Sequence, residues 1–114
     1  MTLDDYQQAA ARTINQGLDE RARLVDAAAG LSEEAGEVLG LVRKHVYMNH
    51  ALDRDRLTKE LGDALWCLAG VAGALGVTLE DVAQSNLAKL RARYPDGYSD
   101  DASRAREPRP APGA

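Results

Sequence analysis

Leu31–Val46 reads LSEEAGEVLGLVRKHV, and Leu57–Leu68 reads LTKELGDALWCL. Both stretches repeat apolar residues every three or four positions, the period of a helix with one buried face. Extended outward, the first stripe takes in Leu24, Ala27, Ala28, Leu31, Ala35, Val38, Leu39, Val42 and Val46. It predicts a helix that starts within 20–26 and runs to about 45–49. Gly30, Gly36 and Gly40 interrupt it, each costing about 1 kcal/mol relative to Ala in an exposed helix interior. Close approach of another helix is the compensation such a pattern needs, and a break near Gly30 is open. The second stripe joins Leu57, Leu61, Ala64, Leu65, Leu68, Val71 and Leu75. It predicts a helix over 54–75, with Asp53 able to cap its start and Gly76 just past its end.

Shorter helices flank this pair. Thr2 with Asp5 forms a capping-box pattern opening a helix over 3–15, with Tyr6, Ala10 and Ile14 as its stripe and Gly17 beyond its end. Thr78 with Asp81 repeats the pattern before a helix over 79–93, which Pro95 stops. After Asp96 the apolar period lapses into Asp, Arg, Ser, Pro and Ala. The reading is a domain over 1–99 and a flexible Pro/Ala/Arg-rich tail over 100–114. Phe is absent and Ile occurs only at Ile14, while Ala and Leu dominate. Helices favour that composition and strands do not. The expected fold is all-α: a four-helix, bundle-like subunit of two long antiparallel helices and two shorter ones.

The 114 residues fit one modest core. The net charge of −4 argues against binding nucleic acid polymers or anionic membrane surfaces. No apolar run reaches the roughly 20 residues that span a bilayer, and MTLDDYQQ has no signal-peptide pattern. A single cysteine, Cys67, has no partner for an internal disulfide. A reducing, cytoplasmic location is the expectation.

The acids carry the chemistry. Glu34 and Glu37 lie one helical turn apart, as do Glu60 and Asp63, with Glu33 on the adjoining edge. They interleave with the apolar stripes instead of occupying a far solvent face. If the two helices pack antiparallel through those stripes, four or five carboxylates crowd one cavity. Such crowding is unfavourable unless a cation neutralises it. An oxygen-only donor set without His or Cys suits Mg²⁺, or Mn²⁺ in its place. The plainer alternative is a solvated acidic helix face.

Glu33-Glu34-x-x-Glu37, a loop, and Glu60-x-x-Asp63 together resemble the signature of the MazG-like all-α nucleoside triphosphate pyrophosphohydrolases. Tyr6-Gln7-x-x-Ala10 resembles that family's opening helix. Asn86-x-x-Lys89-Leu90-x-x-Arg93-Tyr94-Pro95-Asp96-Gly97-Tyr98 resembles its closing motif. The likeness covers about 2–99. It implies hydrolysis of a nucleoside triphosphate to a monophosphate and pyrophosphate, with a role in cleansing nucleotide pools. It implies Glu34, Glu37, Glu60 and Asp63 as metal ligands, and Glu33 as the acid that positions or deprotonates water. Asn86, Lys89 and Arg93 fall where the family holds the nucleotide. It also implies a homodimer or a dimer of dimers.

Two other readings compete. A di-iron carboxylate bundle needs Glu-x-x-His pairs, and neither acidic motif ends in His. An inactive helical dimerisation or regulatory module would leave the acids as surface charge. Trp66, one turn after Asp63, is either core or a stacking surface for a base. His45 and His50 lack metal spacing with the acids, and Cys67 reads as a small core residue. Gly70, Gly73 and Gly76 form no phosphate loop.

Overall fold

The computed structural model describes residues 1–106. Five α-helices follow in order: α1 (Leu3–Ala11), α2 (Glu20–Tyr47), α3 (Arg54–Leu75), α4 (Leu79–Arg93) and α5 (Asp100–Arg104). Among the described residues there is no strand, and no single helix is long and apolar enough to cross a membrane. The all-α expectation holds, with one more helix than the four foreseen. The described residues divide into two compact units, 1–80 and 81–106.

In the first unit α3 is central, and α2 and α1 both pack on it. The long helices have the expected caps. Asp19 accepts from the Ala22 amide at 2.8 Å and Asp53 from the Arg56 amide at 3.0 Å. Gly76 closes α3 in the left-handed conformation, φ 73°, while the Val77 amide reaches back to the Ala72 carbonyl at 2.9 Å. α2 is continuous through Gly30, Gly36 and Gly40.

Small residues bring the pair together. A Cβ on Gly30 would lie 2.9 Å from Cys67 Sγ, and one on Gly70 would lie 3.1 Å from Ala27 Cβ. Thus Ala27 opposes Gly70 and Gly30 opposes Cys67, so α2 and α3 run antiparallel in a fixed register. Close approach explains Gly30 but not Gly36 or Gly40, where an added Cβ would meet nothing within 4 Å.

α1 is shorter than predicted. Beyond Ala11 the backbone tightens, with Thr13 and Ile14 amides bonding three residues back. The Thr13 hydroxyl donates to the Ala10 carbonyl at 2.6 Å and accepts from Trp66 Nε1 at 2.7 Å. A side chain from α3 therefore fixes where α1 ends. At its other end α1 serves the start of α4: Gln7 Oε1 accepts from the Leu79 amide at 2.8 Å, and Asp4 Oδ1 from the Glu80 amide at 3.3 Å. Ala69, Ala72 and Leu79 form the core cluster there, flanked by Tyr6 and Leu65.

In the second unit the expected tail over 100–114 begins instead with α5. Gly97 takes φ 86°, which favours glycine, and turns the chain. Ser99 then caps α5 by accepting from the Ala102 amide at 3.0 Å. Asp100-Asp101-Ala102-Ser103-Arg104 carries no apolar period, yet the Ser cap and the Asp-rich first turn suffice for one turn of helix. The rest of that expected tail, residues 107–114, lies outside the described residues.

Candidate metal centre

The register that sets Gly30 against Cys67 carries the acids together. Seven residues along α2 from Gly30 is Glu37, and seven back along α3 from Cys67 is Glu60. These two carboxyls come within reach of each other. Glu34 joins them: one carboxylate oxygen from each of Glu34, Glu37 and Glu60 lies within 4.8 Å of the others. Asp63 falls outside that group but stands close enough to act on Glu37 electrostatically. Glu33 is exposed and outside it as well. The structure therefore brings together three of the four predicted metal ligands and leaves Asp63 at their edge.

The electrostatics match the crowding. The carboxyl of Glu37 is pushed above the usual glutamate range, first by its hydrogen bond to Glu60, then by the Glu60 charge. Arg56 opposes that shift in part. Arg56 belongs to none of the sequence motifs, although it sits one turn before Glu60 on the same helix. Burial pushes the Cys67 thiol up, and the charges of Glu34 and Asp63 add to it. A thiol held protonated in an acidic neighbourhood is no nucleophile. Its place against Gly30 makes it a packing residue, as expected.

Two oxygens test whether a cation suits the site. Oε2 of Glu34 and Oε2 of Glu60 are both shielded from solvent and lack a hydrogen-bond partner among the described residues. Unpaired buried carboxylate oxygens are costly. A hard divalent ion satisfies them, and an all-oxygen donor set is what Mg²⁺ or Mn²⁺ prefers. The donors fit the group.

A groove of about 310 Å³ runs between α1 and α3, lined by residues that include Ala10, Ile14, Trp66, Ala69 and Gly70 and by none of the clustered acids. Trp66 is half-buried on its wall instead of lying in the core. Tyr6, on α1, lies within electrostatic reach of both Asp63 and Cys67. Asn86, Lys89 and Arg93 belong to α4 in the second unit, where Lys89 and Arg93 line a cleft and Asn86 is exposed. His45 Nδ1 donates to the His50 carbonyl at 2.8 Å, just past the end of α2.

The family model of the MazG nucleotide pyrophosphohydrolase domain matches residues 25–98. The chain is also similar to the Gene 37 protein of Mycobacterium phage L5, with 38% identity over 105 residues, covering 85% of this chain and 92% of that protein. No solved structure matches it.

Proposed function

The chain belongs to the MazG nucleotide pyrophosphohydrolase family, and on that premise we propose that it hydrolyses nucleoside triphosphates to the monophosphate and pyrophosphate with Mg²⁺. The observation that carries this reading is the convergence of Glu34, Glu37 and Glu60, two of them with buried and unpartnered oxygens. Glu34, Glu37 and Glu60 hold the metal, with Asp63 completing the set from the edge. When bound, Mg²⁺ supplies positive charge that a triphosphate needs in order to approach an acidic cavity, and polarises its phosphoryl oxygens.

The protein side of the reaction follows from the residues. Glu33, exposed beside the cluster, orients a water and takes its proton as that water attacks phosphorus. The P–O bond between the α- and β-phosphates breaks, and the electron pair leaves on the departing phosphate. Lys89 and Arg93 bind phosphate oxygens, and Asn86 hydrogen-bonds the nucleotide. The Trp66 face of the groove offers an apolar surface for the base. The role is cleansing of nucleotide pools in the cytoplasm.

The working form is a pair of chains or a pair of pairs. Among the described residues no large side chain is fully buried in one chain. Val25, Leu39 and Val46 on α2 recur at multiples of seven residues and are 62%, 63% and 59% exposed. Leu61, Leu68 and Leu75 repeat the spacing on α3. Two apolar seams on neighbouring antiparallel helices match the same seams on a second copy. Light scattering should give two or four times the 12.3 kDa chain mass, and Leu61→Asp should lower it. A monomer at micromolar concentration would refute the assembly.

Activity is tested with a panel of ribo- and deoxynucleoside triphosphates. Monophosphate and pyrophosphate should appear in equal amounts with Mg²⁺, and neither in EDTA. Undiminished turnover after complete metal removal would overturn the mechanism.

A further inference from the structure

We propose that a second cavity, between the end of α1, the start of α2 and α3, selects guanine, with Arg23 and Asp26 as the residues that determine the choice. A guanine nucleoside triphosphate is then the substrate, a step that rests on the pyrophosphohydrolase reading. The cavity measures about 370 Å³, and its walls include Ile14, Leu18, Trp66 and Gly73. Trp66 also walls the groove between α1 and α3, so one indole borders both spaces. A Cβ on Gly73 would meet nothing within 4 Å, so bare backbone leaves room there for a flat ring. Asp26 lies seven residues before Glu33, about 10 Å along α2. A nucleoside bridges that span between its base and its first phosphate.

The polar groups of this cavity are poised and unsatisfied. Arg23 Nε is shielded from solvent and has no hydrogen-bond partner among the described residues, and a buried donor left unpaired is costly. The guanidinium is nevertheless held in place. Its Nη2 donates to the Gln16 carbonyl at 3.3 Å and to Gln16 Oε1 at 3.1 Å, while Gln16 Nε2 donates to the Ile14 carbonyl at 3.4 Å. Arg23 thus turns toward Gln16, and among the described residues it forms no ion pair with Glu20 or Asp26, each one turn away on α2. Donor and acceptor line the same cavity without cancelling each other. Asp26 stands close enough to α3 for its charge to act on the Cys67 thiol.

Guanine matches that pair. It presents O6 and N7 as acceptors, and N1–H and the 2-amino group as adjacent donors. A guanidinium donates to the first two, and a carboxylate accepts from the second two. Adenine, cytosine and thymine each offer one donor group on the pairing edge, so a carboxylate holds them by a single bond.

Trp66 is the chain's single tryptophan, so its fluorescence reports a base stacked beside it. Nucleoside monophosphates are titrated into the full chain in EDTA, which keeps metal out of the carboxylate centre. Guanosine monophosphate should quench with about tenfold higher affinity than inosine monophosphate, which lacks only the 2-amino group. Adenosine and cytidine monophosphates should bind as weakly or more so. Asp26→Asn should erase the difference between guanosine and inosine, whereas Glu20→Gln, which removes the same charge one turn before Arg23, should keep it. Arg23→Lys should weaken both alike, because both carry O6 and N7. Equal affinity for all the monophosphates, absence of quenching by any of them, or a guanosine preference that survives Asp26→Asn would overturn the assignment. Hydrolysis in Mg²⁺ is measured separately. Equal turnover of every triphosphate would sink the guanine assignment and spare the pyrophosphohydrolase reading, and guanosine-selective quenching without hydrolysis would do the reverse.

Discussion

One antiparallel register joins α2 to α3, yet its two halves are opposites. Where Ala27 meets Gly70 and Gly30 meets Cys67, small side chains let the backbones close and leave no room. Where Glu37 meets Glu60, with Glu34 beside them, charges are crowded and two oxygens have no partner. The first half stabilises the fold through contact and exclusion of water. The second half is unfavourable by itself and persists because the first half fixes the register. Packing at one end thus holds a strained electrostatic arrangement at the other, ready for a cation.

Changing the acid end should have the largest effect. Glu37→Gln should lower turnover at least about a hundredfold by weakening the metal site, while leaving the helical content intact. The same variant should leave the metal-free fold as stable or more stable at neutral pH. The folded-state Glu37 carboxyl is raised above its ordinary 4.5. Its contribution to stability is therefore present below that value and lost as pH rises through the raised one. Wild-type affinity for Mg²⁺ should climb over the same interval, as protons cease to compete, and Glu37→Gln should flatten the climb. If instead the glutamine variant melts well below wild type without metal, the acids are net stabilising and the contrast between the two halves fails.

Metal should act next. A hundredfold excess of Mg²⁺ over its Kd should add about 2.7 kcal/mol, read as a thermal midpoint higher by on the order of 10 °C. EDTA should abolish the gain. A midpoint indifferent to millimolar Mg²⁺ and Mn²⁺ would leave the orphaned oxygens without a purpose.

The packed half offers the smallest effects and the sharpest control. Gly30→Ala should cost about 1–3 kcal/mol in chemical denaturation, because the new methyl meets Cys67 Sγ in a closed interface. Gly36→Ala, two turns along the same helix with open space around it, should gain up to about 1 kcal/mol of chain stability. Equal effects from the two would mean that the register is not set by the glycines.

Much of this was legible in advance. The spans of α3 and α4 agree with their predicted bounds, and α2 starts and ends within the predicted limits. Caps, terminal glycines and a 3.6-residue period act over a few residues, so the chain states them locally. The acidic site was legible for the same reason: Glu34, Glu37 and Glu60 are placed on their faces by helical phase alone, and only the antiparallel packing had to be assumed. Arg56 was missed because its field on Glu37 crosses between helices. For Trp66 the sequence leaves core and stacking surface both open, and its place on a groove wall depends on the seating of α1, which no periodicity encodes. α5 was missed because a helix of one turn has no period to detect.

By itself the sequence determined that the protein is helical, where its long helices begin and end, and which side chains each presents on a common face. These are consequences of backbone propensity and capping between near neighbours. Only the tertiary structure decided how far α2 slides along α3, where Trp66 stops α1, and which carboxylates meet. Those outcomes depend on steric fit between residues far apart in the chain, where Gly30 admits Cys67 and so brings Glu37 to Glu60.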